Sequence, residues 1–230
     1  MHSRSNLFRL FQITDSFFPS GAFAYSRGLE TYVSEGAVRD RKGVEEFLKT
    51  SLRGLTAKSD ALILRLCCEA AGREELDTIV RFDRLTHSMK LAKELREGSL
   101  QAGTQLLKVM RALHSFALFE RFAEEVEKGK AWGHHPVVFA LVCKALGISR
   151  EDSVMAYLYQ TVSSVVSAGV RLIPIGHLDG QKVIEEIRGM GLKIAEDLAI
   201  LTEDDLSSFA PAIEIRAMRH ECLYTRLFRS

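Results

Sequence analysis

The sequence predicts an all-α protein, a single-domain bundle of about eight to ten helices with no sheet. Three observations point there. Apolar residues recur three and four apart along nearly all of the 230 residues, the period of a helix with one face turned inward. No stretch shows the sustained alternation of a half-buried strand. The composition, 47% hydrophobic with only 4 prolines, suits one substantial core and argues against disorder.

Taken in order, LFRLFQITDS sets Leu7, Leu10, Phe11 and Thr14 at helical spacing, and Asp15 to Gly21 then interrupts with Pro19 and Gly21. A second helix is expected from Phe23 through Val33, stopping near Gly36. DRKGVEEFLKTSLRGL offers Asp40 as a cap and places Val44, Phe47, Leu48, Leu52 and Leu55 on one face. After Ser59, ALILRLCCEAAG has the broad apolar surface of a core helix. EELDTIVRFDRLTHSMKLAKEL repeats Leu76, Ile79, Val80 and Leu85, and SLQAGTQLLKVMRAL and SFALFERFAEEVEKG supply two more amphipathic segments.

Trp132 to Pro136 reads as a loop. PVVFALVCKALG follows as a helix with proline in its first turn and Gly147 past its end. Ser149-Arg150-Glu151-Asp152 is a candidate capping box before a long apolar run. Its β-branched residues near Val162 to Val170 would suit a strand, yet its length and lack of alternation favour a packed central helix. Asp179 is a cap candidate for DGQKVIEEIRGMGLKIAEDLAIL. The two glycines of RGMG each weaken a helix interior by about 1 kcal/mol and predict a kink or break there. A polar stretch and Pro211 precede a last amphipathic segment. The whole chain, 1–230, is expected to be one domain, with the N-terminal segment 1–22 and the tail 214–230 as the parts that meet partners.

Charge narrows the function classes. The 31 Lys and Arg balance 30 Asp and Glu, so no global field points to nucleic acid or an acidic membrane surface. No apolar run reaches the roughly 18 residues that span a membrane, and MHSRSNLFRLFQITDS lacks the features of a secretory signal, so a cytoplasmic address is expected. Cys67 and Cys68 are adjacent and Cys143 and Cys222 lie far apart, which is neither a disulfide framework nor a Cys-x-x-Cys spacing.

Catalytic constellations do not assemble. Ala24-Tyr25-Ser26-Arg27-Gly28 approximates a nucleophile elbow, but an elbow needs a strand leading into the serine, and here a Pro-Ser-Gly turn precedes it. Phosphate-binding glycine loops and His-Glu-x-x-His are missing. His134 and His135 are neighbours in a loop, expected in surface or capping roles and pointing apart if extended. His87 with Lys90, and Arg111 with His114, read as solvated helix faces. No enzyme is expected. The rival readings are a generic helical adaptor and a small helical enzyme built on His134, His135 or His177.

What remains suits a protein-binding surface. Phe8, Phe11, Phe17, Phe18 and Phe23 crowd aromatic area near one end. At the other, RAMRHECLYTRLFRS interleaves Arg216, Arg219, Arg226 and Arg229 with Met218, Leu223, Tyr224, Leu227 and Phe228, and Arg and Tyr are residue types that often carry interface energy. This tail either docks on its own domain or orders on a partner.

Three blocks, FQITDSFFPSGAFAYSRGLETYV, RLIPIGHLDGQKV and MRHECLYTRLFRS, resemble the UreF-type urease accessory proteins in the same order and at corresponding positions. That resemblance implies an all-helical homodimer acting as a non-catalytic maturation factor for the nickel enzyme urease. It implies binding to a second accessory protein, UreD or UreH, recruitment of the GTPase UreG, and nickel delivery to apo-urease by the whole assembly. Nickel and GTP would then belong to the wider complex, with no cofactor or metal held stably by this chain. The N-terminal block carries over to Asp15, Pro19, Gly21, Phe23, Gly28, Leu29 and Glu30, and the C-terminal motif to His220, Glu221, Tyr224, Arg226, Leu227 and Arg229. The partner-binding set expected on this basis is Phe18, Phe23, Tyr25, Glu30, His220, Glu221, Tyr224, Arg226, Leu227 and Arg229. Two positions depart from the family pattern: Tyr25 stands where many relatives have histidine, and His177 where many have glutamine.

Overall fold

The structure is a computed structural model that describes residues 4–21 and 25–229. It is all-α, as the periodicity predicts. The helices are α1 (Arg4–Thr14), α2 (Leu29–Ser34), α3 (Arg41–Ser51), α4 (Leu62–Gly72), α5 (Leu76–Met89), α6 (Lys93–Leu113), α7 (Ala117–Glu127), α8 (His135–Ala145), α9 (Arg150–Leu172), α10 (His177–Leu198) and α11 (Pro211–His220). A wide π-helical stretch, Leu52–Ala61, fuses α3 and α4 into one rod, so the described residues form ten continuous helical rods. Two of the expected caps are in place. Asp40 accepts from the Gly43 amide at the start of α3, and Ser149 accepts from the Asp152 amide at the start of α9.

The core lies around α8, whose residues from His135 through Cys143 are all buried. A helix apolar on every side must be surrounded; α4 and α6 flank α8, and α9 and α7 close the remaining sides. Close approach of α6 to the loop before α8 rests on Gly103, where a Cβ would run into the Gly133 carbonyl. α9 carries the second layer and packs on α10, α4 and α2. The π stretch is pinned from outside: the Ser207 and Phe209 amides donate to the carbonyls of Lys58 and Gly54 at 2.9 and 2.8 Å.

Several local expectations need correction. The second helix begins at Leu29, not Phe23, because Arg27 and Gly28 both take left-handed backbone (φ 57° and 89°) and turn the chain just before it. Phe23 itself lies outside the described residues. The segment 74–95 does not run as one helix; it breaks at Lys90–Ala92, where the Arg96 guanidinium takes up the Lys90 and Leu91 carbonyls. Gly176, not Asp179, precedes α10. No break occurs at RGMG. Val183, Ile187, Ile194 and Leu198 are buried along one face of α10. At about 1.5–3 kcal/mol for each buried side chain, they outweigh the roughly 1 kcal/mol per glycine.

Candidate partner-binding site

The C-terminal segment is fastened to the body by two carboxylates. Glu30 stands in the first turn of α2, where the Ser26 hydroxyl accepts its amide hydrogen at 3.2 Å. Glu94 stands in the first turn of α6, immediately after the break that ends α5. His220 is the last residue of α11, and its side chain is fully buried. Three helix termini therefore meet at one point. Carboxylates at the amino ends and a histidine at a carboxyl end also agree with the direction of the helix dipoles.

The His220 ring bridges the two acids, with Nε2 2.8 Å from Glu30 and Nδ1 2.6 Å from Glu94. Each ring nitrogen thus faces a carboxylate oxygen from a different helix. Arg226 donates to the other Glu94 oxygen at 3.1 Å. Glu30 also accepts the backbone amides of Leu227 and Phe228 at 2.6 and 3.0 Å. Removing such a buried acceptor strands its donors, at about 1–3 kcal/mol each.

Further contacts extend the fastening. Phe228 is buried, with the Arg171 guanidinium 4.5 Å from its ring centroid. Arg229 donates to the Gln101 side-chain oxygen at 3.1 Å, and that oxygen also accepts the Tyr25 hydroxyl. Burial raises the Tyr25 hydroxyl above its ordinary pKa. α11 is tied to α2 by Glu35, which accepts from Arg216 at 2.6 Å and Arg219 at 3.3 Å, while the Arg216 guanidinium lies over Tyr32.

Of the residues singled out in the sequence, Tyr25, Glu30, His220, Arg226, Leu227 and Arg229 come together here, Leu227 through its amide. Glu221, Tyr224 and the Leu227 side chain face outward, Tyr224 without any shielding from the chain. Phe18 is buried as part of the hydrophobic core. On α1, Leu7, Phe8 and Phe11 are exposed, and so is Phe17 just beyond it. Sequence reasoning missed Glu94 and Gln101. Their seven-residue spacing, with Gly98 between them, puts all three on one helix face, and the Tyr25 ring packs against Gly98.

A second polar cluster lies inside the bundle. Asp60, on the π stretch, accepts from Lys90 at 2.7 Å and from the Tyr157 hydroxyl at 3.1 Å. Burial pushes the Asp60 carboxyl up, but the Lys90 and Arg27 charges outweigh burial and hold it below the usual range. These residues line a partly open pocket with Ser99, Gln160 and Glu214. Of the surface or capping roles expected for His134 and His135, the surface one does not hold: both are buried, His134 at the cap position before α8 and His135 as its first residue, because α5 and α6 pack over this end of the helix. Asp83 of α5 accepts the amides of Trp132, Gly133 and His134 at 2.5, 3.0 and 2.8 Å. Burial lowers the His134 pKa to about 3 and that of His135 to about 4. His87, read as part of a solvated face, instead lies 3.2 Å from His134 and stacks on Trp132, and Lys90 is held by Asp60.

His177 is exposed at the start of α10, whereas His134 and His135 are buried. Among the described residues no group of three or more His, Cys, Asp or Glu is placed to hold a metal ion. No described helix is long and apolar enough to cross a membrane.

Comparison with known proteins gives a consistent result. The UreF family model matches residues 38–188. The chain is 36% identical over 221 residues to the urease accessory protein UreF of Lachnoclostridium phytofermentans, spanning 96% of this chain and 97% of that protein. It is 34% identical over 226 residues to the urease accessory protein UreF of a Bacillus species, spanning 98% of this chain and all of that one. The urease accessory protein UreF of Haemophilus influenzae is 33% identical over 228 residues, spanning 99% and 97%. The chain belongs to the UreF family.

Proposed function

We propose that this protein is a urease accessory factor, a non-catalytic scaffold for maturation of the nickel enzyme. Likeness over nearly the full length to proteins named for that role carries the reading. In it, the terminal segments 1–22 and 214–230 engage UreD or UreH, and the pair recruits the GTPase UreG for nickel insertion into apo-urease. The protein works as a homodimer in this assembly, and nickel and GTP are handled by the complex as a whole. The exposed apolar side chains of α1 and the outward Tyr224 and Leu227 support a role for the termini, because each offers contact area that the chain itself does not cover.

The test is co-expression of urease with its other accessory proteins, with and without this chain. The reading expects urease activity and nickel content to fall together when the chain is omitted and to return when it is supplied. Full activity and full nickel occupancy without it would reject the reading and favour a generic adaptor for some other partner.

A further inference from the structure

A rhythm of four residues runs through the rod made by α3, the π stretch and α4. Val44, Leu48, Leu52, Thr56 and Asp60 are all buried. Residues four apart on an α-helix are turned by about 40°, so an unbroken α-helix would carry Asp60 about 160° round from Val44, toward the outside. The wider turns of the π stretch, with one more residue in each hydrogen-bonded ring, take back much of that drift and bring Asp60 inward. There it accepts from Lys90 at 2.7 Å and from Tyr157 at 3.1 Å.

Outside the rod, residues 201–210 form a strap between α10 and α11. Its start is tied by Arg65, which donates to the Leu201 carbonyl at 2.6 Å, and by the Arg81–Glu203 ion pair at 2.6 Å. Its end lies on the π stretch, where the Ser207 and Phe209 amides donate to the Lys58 and Gly54 carbonyls. Those carbonyls are four residues apart, and an α-helix would turn them about 40° away from each other. A Cβ on Gly54 would stand 2.7 Å from the Phe209 carbonyl oxygen and 2.8 Å from the Ala210 Cβ, so the missing side chain is what lets the strap lie down. Strap and π stretch wall the same pocket, through Ser208 on one side and Ser59 and Asp60 on the other.

We infer that the strap is a clamp: by holding residues 52–61 in the wide form it fixes Asp60 against Lys90 and Tyr157 and sets the shape of the pocket. Ser207 and Phe209 act through their backbone amides and Gly54 through its lack of a side chain, so all three are positioning residues for the pocket. The strap runs on into α11 at Pro211, which makes it a covalent link between that helix and the pocket.

The test compares the full-length wild type with Gly54→Ala, Phe209→Pro and Asp60→Asn. Hydrogen exchange follows the strap amides of Ser207 and Phe209, and the Trp132, Gly133 and His134 amides held by Asp83 report that the bundle stays folded. Acylation of Lys90 by an amine-reactive ester, read by mass spectrometry against the exposed Lys93, reports the Asp60 contact. Asp60→Asn sets the upper mark, with Lys90 acylated about tenfold faster once its charged partner is gone. Gly54→Ala and Phe209→Pro are expected to strip protection from the strap amides that remain and to raise Lys90 acylation several-fold toward that mark, while the amides bound by Asp83 stay protected. Should Gly54→Ala fail to fold, Phe209→Pro carries the test, since it leaves the helix untouched and the Phe209 side chain is exposed. Strap amides that exchange freely in the wild type would overturn the inference. So would Lys90 acylated at the wild-type rate in a variant whose strap has lost protection, or a strap that keeps its protection in both variants.

Discussion

Lowering the pH from about 7.5 to about 5 titrates two histidines that the fold holds neutral. In the unfolded chain an imidazole takes up its proton near 6.5, whereas burial lowers the pKa of His134 to about 3 and of His135 to about 4. The unfolded state therefore binds more protons than the native state in this window. Stability is full above about pH 6.5 and is lost as pH falls toward the folded values. At pH 5 each group stands about 1.5 units below its unfolded pKa, a loss of about 2 kcal/mol apiece and about 4 kcal/mol together. That is a large share of the roughly 5–15 kcal/mol that holds a typical domain. Urea denaturation at the two pH values reads the loss, and His134→Asn and His135→Gln isolate each contribution. Each variant is expected to lose about 2 kcal/mol less than the wild type over the same interval, whatever its own stability at pH 7.5. Variants whose stability falls in parallel with the wild type would refute the assignment of buried neutral histidines.

Three further substitutions probe the architecture and the tail. Asp83→Ala removes the acceptor of three loop amides, and at about 1–3 kcal/mol per stranded donor it should cost at least about 3 kcal/mol in a thermal or chemical melt; a melt within 1 kcal/mol of wild type would mean that water replaces the carboxylate. Gly103→Ala forces a Cβ into the Gly133 carbonyl, a backbone atom that cannot swing away, so a loss of about 3 kcal/mol or more, or no soluble protein, is expected. An unchanged melting temperature would show that α6 has room to shift. Arg226→Ala should leave the isolated protein folded with a stability loss of about 1 kcal/mol or less, because the guanidinium is nearly half exposed, yet weaken assembly with UreD or UreH. Equal losses in stability and in binding free energy would assign Arg226 to the fold alone.

Most of the helices were legible in the sequence because each buries one apolar face, and the period of that face is local information. The fusion of α3 and α4 was not, since a π stretch changes the hydrogen-bonding step without breaking the apolar pattern that Leu52 and Ala61 continue. Tertiary cover decided the histidines: a loop carrying His134 and His135 looks polar alone, and only α5 and α6 folded over it make it interior. At the tail, Arg226, His220 and Glu30 stood out through the resemblance, but Glu94 did not. Glu30 and Glu94 lie more than 60 residues apart in sequence and meet only because α11 brings His220 between them. The outward Tyr224 could not be told from a docked one by pattern, because a terminal segment has no repeating face to set its orientation.

The central claim, a scaffold joining the accessory proteins, is tested most directly by mixing the purified protein with UreD or UreH and UreG and measuring complex mass by light scattering after size exclusion. The account predicts one defined species containing all three, lost on Tyr224→Ala. Folded partners that elute separately across concentrations and nucleotide states would contradict it.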